Sequence, residues 1–63
     1  MKASEQKDLA KILTARRKEL GFGQEKIGKL IGLNQGAISR FENGKAVLSL
    51  EKIVKYGESV GLL

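Results

Sequence analysis

Residues 24–45 read QEKIGKLIGLNQGAISRFENGK, and the spacing within this stretch decides the fold. Ile27, Leu30 and Ile31 recur at the three- and four-residue intervals that gather side chains on one face of a helix, and Ile38 and Phe41 resume that interval after a break. Each segment therefore has one face to bury. The break consists of Gly32, Leu33 and Asn34. A glycine there can take the left-handed conformation that ends a helix, and an asparagine can accept a backbone N–H as the N-cap of the next. The joint is a sharp turn between a helix over 24–31 and a second over 35–42. A glycine at position 28 costs about 1 kcal/mol against Ala inside a helix, so Gly28 points to close approach of the second helix.

Upstream, residues from Ser4 to Leu20 form a helical pattern with Leu9, Ile12, Leu13 and Leu20 expected on the core side and Lys7, Lys11, Arg16 and Lys18 mostly opposite. Gly21 stops this helix, and Phe22 is placed to fold back on its last turn. Downstream, Asn43 and Gly44 form a second stop signal. Ser49 is a reasonable N-cap for a fourth helix carrying Leu50, Ile53, Val54 and Gly57 at helical spacing and ending near Gly61. Strand-length alternation, repeats and Pro-rich linkers are missing, and Pro is absent altogether. One all-α domain over residues 1–63 is expected, with four helices. A fifth would follow if the apolar ending, Val60 to Leu63, begins another element; the same residues could instead cover the core.

Composition narrows the chemistry. The chain has 63 residues, neither His nor Cys, and 12 Lys and Arg against 7 Asp and Glu, a net charge of +5. Thiol redox chemistry, zinc-finger ligand sets and imidazole acid–base catalysis lose their raw material together, so no catalytic residue, metal site or cofactor is expected. The positive balance suits a polyanion such as nucleic acid and equally suits plain surface solubility. Apolar runs are too short for a transmembrane segment or a signal peptide, which leads to the expectation of a cytoplasmic protein with no membrane partner.

Two helices joined by a three-residue turn containing Gly make a helix-turn-helix unit, here residues 24–42, whose second helix is suited to the DNA major groove. Gln24 opens the first of these helices, Gly32 marks the turn, ISRFENGK runs from Ile38 to Lys45, and Ser49 to Glu51 open the fourth helix. On these features residues 9–62 resemble the phage-repressor family, also called the Cro/repressor or xenobiotic-response-element helix-turn-helix family. The resemblance implies a small repressor-like DNA-binding domain. Its expected function is sequence-specific transcription regulation, as a repressor, by a homodimer on a two-fold symmetric double-stranded operator.

The family's residue roles carry over position by position. Base reading falls on Gln35, Gly36, Ala37, Ser39 and Arg40, since Gln can pair with adenine and Arg with guanine. Gly36 and Ala37 depart from the longer polar residues often found there, although Ala37 can touch a thymine methyl group. Arg40 has an alternative as a phosphate contact. Gln24, Asn43 and Lys45 correspond to phosphate-binding positions, and Arg17 and Glu42 to a buried ion pair that ties the first helix to the end of the third. Lys26 and Lys29 read as solvated charges on an exposed face. The ending, residues 57–63, is similar to that of HipB-type antitoxins, which adds a toxin as a possible partner. A coactivator-type protein-interaction module of the multiprotein-bridging kind is the alternative from another class.

Overall fold

The computed structural model describes all of residues 1–63 as four helices without a strand: α1 (Ala3–Glu19), α2 (Gln24–Ile31), α3 (Gln35–Glu42) and α4 (Leu50–Ser59). The all-α class and the four helices agree with the sequence; Val60 to Leu63 form no fifth helix. α1 starts at Ala3 rather than Ser4.

The turn between α2 and α3 is built as its residues dictate. Gly32 closes α2 at φ 81, in the left-handed region where a Cβ would be strained. The Leu33 N–H then donates to the Gly28 carbonyl at 2.8 Å, and the Asn34 side chain accepts the Ala37 N–H at 2.8 Å as the N-cap of α3. Gly21, Gly44 and Gly61 end the other three helices in the same left-handed conformation. Gly28 is required for a different contact from the one expected. A Cβ there would overlap the Leu33 carbonyl, so the backbone of the turn, not the next helix, is what comes close.

All four helices contribute to one core: Ala10 and Leu13, Ile27 and Ile31, Ile38 and Phe41, then Ile53, Tyr56 and the following Val60. The Phe41 and Tyr56 rings lie 6.1 Å apart in a tilted pair. α2 packs against α3 and α4, and α1 packs against α3. Lys52 pins α4 to the end of α2, its Nζ donating to the Ile31 carbonyl at 2.7 Å. That carbonyl is one of those a helix end leaves without an intrahelical partner.

Five apolar residues expected inside lie outside. Leu50 is 65% exposed, Ile12 56%, Leu30 54%, Val54 39% and Leu20 37%. On α1 the buried face is Gln6, Ala10, Leu13 and Arg17, a stripe with two polar members that rotates the helix away from the Ile12 side. Leu30 sits one residue off the Ile27–Ile31 line that meets α3 and α4, and Val54 likewise flanks Ile53.

Candidate nucleic-acid interface

α3 is amphipathic across its width. Ile38 and Phe41 hold one side in the core, which leaves Gln35, Gly36 and Arg40 exposed and Ala37 and Ser39 half-buried at the border. All five expected base readers thus share the outer side of one short helix. Gly36 contributes by what it lacks: a Cβ there would stand 3.2 Å from Nη1 of Arg40, so the guanidinium lies back along the helix over the bare glycine. Arg40 has no carboxylate partner and keeps its fork of donors free.

At the opposite end of the surface, α2 begins without a side-chain cap, because its N-cap is Gly23. Its first N–H groups lack intrahelical partners, the condition under which a helix N-terminus accepts an anion. Gln24 stands at that start but is not free. Its amide nitrogen donates to Glu42 Oε1 at 3.0 Å, and its amide oxygen accepts from Gln35 Nε2 at 3.5 Å. One N–H of Gln24 remains for a phosphate. Asn43 is likewise engaged: its side-chain N–H donates to the Ser39 carbonyl at 2.8 Å, where it caps the C-terminal end of α3. Lys45 is exposed and without a carboxylate partner, held in place through its backbone N–H, which donates to the Arg40 carbonyl at 2.8 Å.

Beneath this surface Glu42 collects four donors. Arg17 meets it with two parallel bonds, Nε to Oε2 and Nη2 to Oε1, each 2.8 Å; the Tyr56 hydroxyl donates to Oε2 at 2.6 Å and Gln24 to Oε1. The two charged side chains are 8% and 4% exposed. Burial by itself pushes the Glu42 carboxyl up, but the bonds from Arg17, Tyr56 and Gln24 and the guanidinium charge outweigh it and hold the group below the usual glutamate range. The bond to Glu42 outweighs burial at Arg17 too and raises its pKa. Burial first, and then the bond to Glu42, keep the Tyr56 phenol protonated well above its ordinary range. Arg17 also donates through Nη1 to the Phe22 carbonyl at 2.8 Å, so one side chain ties α1, the α1–α2 turn and α3 together.

Two residues of this architecture had escaped sequence reading. Tyr56, the only tyrosine, is fully buried in the core, and its hydroxyl demands a partner there. Gln6 is 8% exposed and forms a two-way clasp, its Nε2 donating to the Leu48 carbonyl at 2.7 Å and its Oε1 accepting the Leu48 N–H at 2.9 Å. It fixes the start of α1 to the segment between α3 and α4. The signal for Tyr56 was its place on the apolar side of α4; nothing local marked Gln6.

A short helix anchored by its apolar side, with the Gln35 amide and the Arg40 guanidinium on its outer side after a glycine turn, defines the class: a helix-turn-helix protein. The chain belongs to the helix-turn-helix family of the Cro/C1 type, whose profile matches residues 13–61. It is accordingly a DNA-binding regulator of transcription, from a family of regulators and not of enzymes. No curated protein and no solved structure matches the chain. No helix is long and apolar enough to cross a membrane.

Proposed function

We propose that this regulator is a sequence-specific repressor that acts as a homodimer, with α3 of each copy in the major groove at one half of a two-fold symmetric operator. The carrying observation is the outer side of α3, where Gln35, Ser39 and Arg40 stand beside one another while Ile38 and Phe41 anchor the helix. Arg40 reads a guanine through its fork, and Gln35 an adenine through its amide. Gln24, the uncapped start of α2 and Lys45 grip phosphates on either side of the groove and set the register of the helix.

Selection of duplexes from a random pool tests this reading. Enriched sites should show two inverted half-sites with centres about one helical turn apart. Enrichment of asymmetric sites would remove the dimer, and no enrichment at all would remove sequence reading. A protein-interaction module of the coactivator kind predicts that last result together with weak, salt-insensitive binding to any duplex.

A further inference from the structure

The cations of this chain are sorted by place. Arg16, Arg17, Lys29 and Lys55 each have a carboxylate partner, Lys52 is spent on the Ile31 carbonyl, and Lys26 stands over the Phe22 ring at 4.1 Å. Those without such partners are Lys2, Lys7, Lys11 and Lys18 on or beside α1, Arg40 on α3 and Lys45 just after it. The first half of α1 and the end of α3 meet in space. The aliphatic stem of Lys7 runs along Gly44, with Cγ, Cε and Cδ 3.4, 3.5 and 3.7 Å from where a Cβ would stand. Lys7 and Lys11, one turn apart on the same side of α1, line an open cleft opposite Glu42, Asn43 and Gly44 that holds no hydrophobic residue. The Gln6 clasp on Leu48 holds the two walls together. Ser39, Asn43, Gly44 and Lys7 therefore form one continuous surface from the recognition helix onto α1.

We propose that Lys7 and Lys11 of α1, with Lys45, bind the phosphates of the DNA strand that passes the C-terminal end of α3. The inference rests on the reading of α3 as the groove-entering helix. Two lysines at positions i and i+4 have Cβ atoms roughly 5–6 Å apart and can close on one phosphate or on two neighbours. Each is a compact charge on a long flexible stem, suited to backbone contact and carrying no base preference. Of the acids beside them, Glu42 is turned inward to Arg17, Tyr56 and Gln24, and Asp8 lies in the cleft and opposes the anion. α1 thereby widens the footprint beyond the helix-turn-helix unit itself.

The test is fluorescence polarisation of the full chain against a selected operator and a random duplex over a series of salt concentrations. Lys7→Gln combined with Lys11→Gln should lower the log–log salt slope by about 2 units for each bound protomer, and so by about 4 for the dimer, close to 0.9 for each phosphate that the protein no longer neutralises. It should weaken both duplexes by the same factor, roughly 10- to 100-fold near 0.1 M salt. Lys55→Gln, which removes one charge from α4, should leave the slope unchanged. Asp8→Asn should tighten both duplexes a few-fold, a change that misfolding cannot imitate. A double variant with the wild-type slope, beside a Lys45→Ala variant whose slope falls by about one unit per protomer, overturns the α1 surface and leaves the groove reading intact. A weakening confined to the operator, or no gain from Asp8→Asn, also overturns it. Wild-type protein that binds neither duplex overturns both readings.

Discussion

Glu42 is an acid at the edge of the proposed DNA-binding surface, and donors from α1, α2 and α4 surround it. Removing one member of such a group leaves a buried charge without compensation. Arg17→Met should cost about 3–5 kcal/mol. At about 0.05–0.15 kcal/mol per residue a chain of 63 residues holds roughly 3–9 kcal/mol in all, so this variant should lose at least about a third of its stability. Arg17→Met with Glu42→Leu should recover much of the loss, and adding Tyr56→Phe should recover more by removing a hydroxyl then left unpaired. Urea denaturation of the three variants checks the order; a single variant as stable as the wild type would show that the pair is open to water. Because the Glu42 pKa is lowered on folding, its contribution is complete above the ordinary glutamate pKa near 4.3 and is lost as pH falls through the lower folded value. Tyr56 acts at the other end. Its phenol ionises near pH 10 in the unfolded chain but holds its proton longer when folded, so stability falls as pH rises beyond that point. Tyr56→Phe should flatten the alkaline limb of a melting-temperature profile and leave its acid limb in place.

At the scale of elements, the α2–turn–α3 unit was legible because its rules are local: two helical apolar intervals, a glycine that ends one helix and an asparagine that starts the next. α1 was misread on its rotation because its inward stripe, Gln6–Ala10–Leu13–Arg17, mixes polar and apolar residues. An apolar periodicity cannot find a glutamine whose partner is the backbone at position 48, 42 residues away. Gln6→Leu keeps most of the volume but leaves the Leu48 N–H and carbonyl without partners, and should cost about 1–3 kcal/mol by thermal or urea unfolding. A variant within about 0.5 kcal/mol of wild type would mean that water replaces the clasp. The expected readers on α3 rest on family position alone, and the contact of Gly36 with Arg40 needed the Arg40 side chain in place. Gly36→Ala gains up to about 1 kcal/mol of helix stability while pushing the flexible end of Arg40 off the helix. Its melting temperature should rise and its base preference should change at the pair that Arg40 is proposed to read. An unaltered preference would show that the guanidinium is free of position 36 when DNA is bound.

For the whole molecule, the polar surface around α3 has an apolar counterpart. Ile12, Leu62 and Leu63, 56%, 45% and 74% exposed, rim a groove floored by Leu9, Leu13, Ile53 and Gly57. A Cβ at Gly57 would press on the Leu63 side chain at 2.7 Å, so the glycine is what lets the tail lie down against α4. A 63-residue chain buries a smaller fraction of its unfolded surface than a larger domain does, and covering such a groove would add to it. If the proposed dimer uses this groove, a second copy related by a two-fold axis would set each Leu63 against the partner's groove. Leu63→Lys with Ile12→Lys places charge at the centre of that contact and little inside the monomer, since both side chains are more than half exposed. The double variant should sediment as a monomer at concentrations where the wild type is dimeric, and should bind a single half-site about as well as the wild type does. On the full operator it should lose the affinity that comes from joining two half-sites, which reaches roughly 100-fold or more when the spacing fits. A wild type that stays monomeric both at high concentration and on its operator would reject the groove as the dimer contact. A double variant that is monomeric but keeps full operator affinity would show that the two copies are joined by the DNA alone.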